Sequence, residues 1–247
     1  VSPVTLDDLT SGFNIGWNIS MAPELDKMLG FSTEDVRRMF TYYKEAGQLP
    51  ADSDIEAMIT EMKPWYDNYC FAKECLESDI RVFNCDMVLY YLRNYISYKH
   101  SPEIMLDPNT KTDYKKLNML IQLDKLDGNR HGVMMEIIEK GEIAATLVPS
   151  FSANEMTDPE TFPSLLFYYG MLTIKGTRGS RLILGIPNNN VRKQYYNYIL
   201  NELSKHRTVN ISKLRDYFDL MSFDGKWREG FQYMADCYKQ LSSVRDS

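Results

Sequence analysis

Leu172-Thr-Ile-Lys-Gly-Thr-Arg-Gly-Ser-Arg-Leu-Ile-Leu-Gly-Ile186 decides how this chain is read. Its two ends, Leu172–Lys175 and Arg181–Ile186, are short β-branched and aliphatic runs. The glycine-containing segment Gly176-Thr-Arg-Gly-Ser180 between them predicts a hairpin loop. Immediately before it, Phe162, Leu165, Leu166 and Tyr169 recur at helical spacing. Further upstream, residues 132–140 read as a helix closed by Gly141, and Tyr114, Leu117 and Ile121 mark another. Downstream, Val191, Tyr195, Tyr198, Ile199 and Leu203 continue as a helix.

Helices followed by one hairpin form the arrangement of a winged-helix domain, with the glycine-containing loop as wing tip. Towards the N-terminus the periodicity is helical again. Ser32-Thr-Glu-Asp35 resembles a capping box, and Val36, Met39, Phe40 and Tyr43 form a stripe after it. Ile55, Met58, Ile59 and Met62 form a second stripe after Asp52-Ser53, and Pro64 is expected to stop that helix. Trp65–Phe71 and Ile80–Phe83 predict a small hairpin, after which Asn84 caps a helix bearing Val88, Tyr91, Leu92 and Tyr95. The two prolines of 101–110 suggest a boundary. Near the C-terminus, Leu214, Tyr217, Phe218 and Met221 and then Trp227, Phe231, Met234, Tyr238 and Leu241 form two further stripes, the last in need of a burying surface. The expected fold is mainly α with small β hairpins: a helical lid-type bundle, a winged-helix-like domain and C-terminal helices.

Composition excludes several classes. The chain has 247 residues, is 44% hydrophobic and 25% charged, and carries a net charge of −6, which is ordinary for a globular protein and unlike a wholly basic nucleic-acid binder. That average conceals a contrast. Thr161 to Asn201 contains no Asp or Glu but has Lys175, Arg178, Arg181, Arg192 and Lys193, leaving 23 basic against 34 acidic residues elsewhere. Basic charge on a wing and its following helix suits contact with the phosphates of DNA or RNA. The alternative is a polar hairpin whose cations pair with acidic helices nearby. Tyr195, Tyr196 and Tyr198 beside them read either as base-stacking groups or as half-buried core.

Catalytic signatures are missing from the sequence. There is no G-x-x-x-x-G-K-[ST], G-x-G-x-x-G or G-x-S-x-G. Glu61-Met-Lys63 has a nuclease-like spacing but sits at a helix end, which makes it surface. Cys70, Cys75, Cys85 and Cys237 have neither disulfide-framework nor zinc spacing with the three histidines, so buried thiols and no metal are expected. No apolar run is long enough to span a bilayer and no secretory signal precedes the first residues, so the expectation is a cytoplasmic chain without a membrane partner. Val1 in place of Met points to a fragment.

Six ordered stretches carry a resemblance: Ser2–Asn14, Met62–Phe71, Arg81–Leu89, Asp107–Leu117, Ser164–Ile174 and Ile186–Arg192. Together they resemble the bacterial AAA-ATPase-like proteins that carry a C-terminal PD-(D/E)XK nuclease-like domain. The resemblance implies that residues 1–20 are a remnant of an ATPase-like core, 21–105 a helical lid-like domain with a small hairpin, 106–206 a winged-helix-like domain and 207–247 helices leading towards a missing nuclease-like domain. It further implies ATP and Mg for the parent family, neither being held by this chain. The missing ATPase core and nuclease-like domain would be its partners. Ser2, Thr5, Trp65, Tyr66 and Asp67 would lie nearest the nucleotide. Asn68 stands where the family commonly has Gly, but Asn tolerates positive φ. The implied function is non-catalytic in isolation, coupling nucleotide state to an effector. A nucleic-acid-binding module and a protein-interaction scaffold built on Trp227–Leu241 are the other two readings.

Overall fold

A computed structural model describes residues 4–5, 19, 21–78, 80–107, 130–149, 151–152, 160–205 and 210–243. Over these residues the chain is mainly helical, with eight α-helices and one small three-stranded antiparallel sheet. It divides into two compact units, Val1–Lys193 and Gln194–Ser247. The helix expected around Tyr114–Ile121, the residue Ser2 and the helix-opening Pro159 lie outside the described residues. No helix among them is long and apolar enough to cross a membrane.

The first unit opens with β1 (Val4–Thr5), which pairs in parallel with β3 (Phe151–Ser152). Its helical part comprises α1 (Thr33–Glu45), α2 (Ile55–Tyr66) and α3 (Cys85–Tyr98). The start of α1 is a complete capping box. Ser32 Oγ accepts from the Asp35 amide, and the Asp35 carboxylate accepts from the Ser32 amide at 3.0 Å. The Ser32 hydroxyl, which donates to Asp35 Oδ2 at 2.6 Å, and then the Ser32 amide hold the Asp35 carboxyl below its ordinary value. The cap of α2 is Asp54, not Asp52-Ser53, and Pro64 lies inside the helix instead of ending it. The ring removes one amide donor, but the Asp67 amide still reaches the Lys63 carbonyl, so the last turn persists to Tyr66. Asn84 caps α3 as its spacing predicts. Val36, Phe40, Met58, Ile59, Met62, Tyr66, Val88 and Tyr91 interlock as the core of this bundle.

The hairpin expected over 65–83 shrinks to one antiparallel bridge, Tyr69 with Val82, because Trp65 and Tyr66 belong to α2 and a 3-10 turn occupies Lys73–Leu76. Phe83 bridges instead to Phe31. Gly30 permits that approach: a Cβ there would sit 2.5 Å from Val82 Cβ and 2.9 Å from the Phe83 carbonyl oxygen.

The remaining part of this unit runs α4 (Arg130–Lys140), β2 (Glu142–Ala145), α5 (Phe162–Tyr168), β4 (Thr173–Arg178) and β5 (Arg181–Gly185). Strand order is β2-β5-β4, all antiparallel. The hairpin is longer and tighter than its sequence suggests. Gly176–Arg178 stay in β4, a bulge falls between Ile174 and Gly176, and the turn is only Gly179-Ser180, with Gly179 supplying φ +62°.

A buried polar seam joins the two parts. The turn after α2 carries Asn68 at φ +80°, and the Cys70 amide that follows donates to Thr173 Oγ1 at 2.8 Å. The Thr173 hydroxyl has the Asn68 and Cys70 carbonyls within 3.2 Å as acceptors, and the Ile174 amide donates to the Cys70 carbonyl. Asp26, almost fully buried, accepts the next two amides, Phe71 at 2.6 Å and Ala72 at 2.7 Å. Asn188 Nδ2 donates to the Asp67 carbonyl while its Oδ1 accepts the Val191 amide, capping α6 (Asn189–Lys205). Asn190 Nδ2 donates to the Met105 carbonyl.

The second unit contains most of α6 with α7 (Ile211–Asp224) and α8 (Trp227–Ser243). Asn210 caps α7, and Gly225 ends it in the left-handed region at φ +67°. Helices α7 and α8 pack closely enough that a Cβ on Gly230 would stand 3.4 Å from Tyr217 Cβ. Tyr217 and Tyr233 pair across them at 5.4 Å, with Lys213 Nζ over both rings.

Thr173→Val keeps the shape but orphans the buried Cys70 amide. It is expected to cost about 1–3 kcal/mol in urea unfolding, while Thr173→Ser recovers most of that loss. Equal stability of T173V and wild type would show that the seam does not hold the unit together.

Candidate functional site

The hairpin fixes where the basic residues of the acid-free stretch stand. Arg178 and Arg181 are the final cross-strand pair of β4 and β5, directly opposite each other beside the Gly179-Ser180 turn. Both are exposed. Among the described residues no hydrogen bond, ion pair or ring contact engages either side chain, and the same is true of exposed Lys193. Like charges placed directly opposite on neighbouring strands repel, and Glu74 lines the same pocket as Arg181.

Lys175 and Arg192 are placed differently. The Lys175 stem crosses Gly185 of β5, where an added Cβ would lie 2.5 Å from Lys175 Cδ. Gly185 pairs with Glu142 on β2, so the ammonium reaches towards that carboxylate. Burial pulls the Lys175 pKa below its ordinary value; Glu142 opposes the shift and Arg192 adds to it. Arg192 donates to Asn189 Oδ1 at 3.0 Å. Lys175 thus has Glu142 acting on its charge without forming an ion pair within 4.0 Å. Of the three tyrosines, Tyr195 and Tyr198 are buried, leaving Tyr196 with an exposed ring.

The residues expected near a nucleotide separate as well. Ser2 is outside the described residues, and Thr5 lies in β1. Trp65 packs against the helical core, and fully buried Tyr66 donates to Met105 Sδ at 3.7 Å and meets Tyr91 edge-on. Asp67 is nearly buried, and its Oδ1 accepts the Asn68 amide at 2.7 Å. Burial raises its pKa, against the lowering effects of that amide, Lys63 and Arg81. No group of three or more His, Cys, Asp or Glu among the described residues is arranged to hold a metal ion.

Periodicity and charge counting missed Asp26, Thr173, Asn188 and Asn190, because a polar residue that serves a distant backbone leaves no local pattern. The run Pro187-Asn-Asn-Asn190 before a helical stripe did hold a signal for the cap. On α8, Trp227, Phe231 and Met234 of the C-terminal stripe remain exposed, with Trp227 and Phe231 each more than half so; the side chains of Tyr238 and Leu241 lie outside the described residues.

No family profile, curated protein or solved structure matches this chain.

Because the folded-state pKa of Asp67 is raised, its contribution to stability is greatest below the ordinary carboxylate value of 3.8 and falls away as pH rises through the folded value. Asp67→Asn, which keeps an acceptor for the Asn68 amide, is expected to raise the thermal midpoint by a few degrees at pH 7 and to leave it unchanged near pH 3. Thermal scans at both pH values check this, and a stabilisation that is equal at the two would contradict it.

Proposed function

We propose that this chain is a nucleic-acid-binding module of winged-helix-like design, with the β4–β5 hairpin and the start of α6 on the phosphate backbone. The observation that carries the reading is the Arg178–Arg181 pair, two exposed cations opposite each other at a hairpin tip, neither held by a hydrogen bond or ion pair among the described residues. A polyanion relieves that repulsion and gains from counterion release. The element order supports it: α4, β2, β3, α5, β4 and β5 follow one another, and β5 lies between β2 and β4 in the three-stranded sheet. Lys193 adds a third unengaged cation at the start of α6.

A second reading, favoured by the seam, is a lid-and-relay segment beside an ATPase-like core, passing nucleotide state to a nuclease-like effector. Its support is that the turn at Asp67 and the cap of α6 share one hydrogen bond, so movement at the turn reaches the hairpin without an intervening linker. The sequence contains no phosphate loop to hold ATP or Mg, so no step of this reading is assigned to residues of this chain beyond transmission. A Walker A motif upstream and an Asp…Glu-x-Lys pattern downstream in the flanking coding sequence are expected under this reading, and lack of both removes it.

The hairpin reading is tested by fluorescence anisotropy with a labelled DNA duplex and a labelled single-stranded RNA over a salt series. Each lost phosphate contact reduces the slope of log affinity against log salt by about 0.9 on duplex DNA. Arg178→Glu with Arg181→Glu is expected to abolish measurable binding near physiological salt and flatten the slope by about 1.8. An affinity and slope unchanged by the double substitution would falsify contact through the hairpin.

A further inference from the structure

Base edges are most often read by a helix laid in the major groove, with side chains that point outward and are held in one orientation. The helix just before the hairpin, α5, is spent on the protein instead. Phe162 to Phe167 are all buried. Ser164 Oγ accepts the Val148 amide at 2.9 Å, and the Tyr168 hydroxyl has the Val148 and Pro149 carbonyls at 3.2 Å as acceptors. Helix α4 ends in Glu136, Glu139 and Lys140, and the lysine pairs with Glu136 at 2.8 Å, which leaves negative charge at that end. At the start of α6, buried Asn188 and Asn190 donate to the Asp67 and Met105 carbonyls.

What stands exposed is the hairpin tip, Thr177-Arg-Gly-Ser-Arg181, with Lys193 as a further cation. The way each cation is held separates two uses. Arg37 is held by Glu34 and Glu56, Arg81 by the carbonyls of Cys75, Leu76, Ser78 and Ile80, and Arg192 by Asn189. Arg178, Arg181 and Lys193 are held by nothing among the described residues. Glu74, in the pocket beside Arg181, has its own cation in Lys73 at 3.8 Å. A guanidinium needs a fixed fork to choose guanine over another base, whereas an unfixed one follows phosphates, which are alike at every base pair. Single strands are held largely by stacking their bases on aromatic rings, and Leu172–Ile186 contains none.

We propose that the partner of the hairpin is double-stranded DNA bound without regard to sequence, its phosphates meeting Arg178, Arg181 and Lys193. The inference rests on the hairpin reading above and narrows it from nucleic acid in general to the backbone of a duplex. Charge decides this contact and base pairs do not. A base-reading site loses roughly tenfold in affinity at a mismatched pair, and a surface of unfixed cations has no group oriented to register one.

The whole chain is titrated by fluorescence anisotropy against a labelled DNA duplex, with unlabelled A·T-rich, G·C-rich and scrambled duplexes and a single strand of the same length as competitors. The duplexes are expected to compete within about threefold of one another, and the single strand to be about tenfold or more weaker. Three phosphate contacts give a slope of log affinity against log salt of about −2.7, about 0.9 for each. Arg178→Lys with Arg181→Lys keeps the charges and removes the forks, so duplex affinity should stay within about threefold of wild type. One duplex winning by about tenfold or more, or a loss of that size in the double lysine variant, overturns sequence independence while the hairpin reading stands. A single strand that binds as tightly as the duplexes overturns the choice of duplex. Absence of binding to every nucleic acid at micromolar protein removes the hairpin reading itself, and this inference falls with it.

Discussion

A buried amide must find an acceptor, and in this chain a few side chains distant in sequence meet that requirement for the segment 70–72. Residues 67–72 leave the helical bundle as mostly irregular backbone, with Tyr69 bridged to Val82 but the amides of 70–72 lacking strand or helix partners. Thr173 supplies the missing partner for Cys70, Asp26 for Phe71 and Ala72, and Asn188 a donor for the Asp67 carbonyl. Each of these side chains is at least nine-tenths buried, where an unmet polar group costs much more than a met one gains. The helical bundle and the three-stranded sheet are thereby one folding unit, and the position of the hairpin follows from the position of the Asp67 turn.

The same turn concentrates the unusual electrostatics. Asp67 is kept in a place that disfavours its charge, with cations near but none bonded to its second oxygen. At the opposite kind of site, the hairpin tip, Arg178 and Arg181 are solvent-exposed yet set against each other. A protein selected only for stability has no use for either arrangement.

Helical periodicity made much of this fold legible. The stripes at Val36–Tyr43, Ile55–Met62 and Val88–Tyr95 became α1, α2 and α3, and the caps at Ser32 and Asn84 were visible as side-chain chemistry next to a stripe. Pro64 misled because a proline in the last turn removes a single amide donor while the bond from the Asp67 amide to the Lys63 carbonyl is still made. The hairpin loop was read too long because Gly176 looks like loop, whereas it occupies a strand position following a bulge. The basic cluster was legible as composition, but which of its members stand free was not, since Lys175 leans on Glu142 from a strand more than thirty residues earlier. The polar seam left no trace at all in periodicity, for its partners are far apart in the chain.

That separation has a consequence for how the chain comes to be folded. The Cys70–Thr173 bond spans 103 residues and the Asp67–Asn188 bond spans 121. During synthesis from the N-terminus, the bundle of α1 to α3 is complete long before its sealing residues leave the ribosome. Until then the amides of 70–72 stay wet or unpaired, with Asp26 alone able to hold them. Contacts this far apart in sequence are slow to close, and until they do the segment 67–72 lacks these two partners.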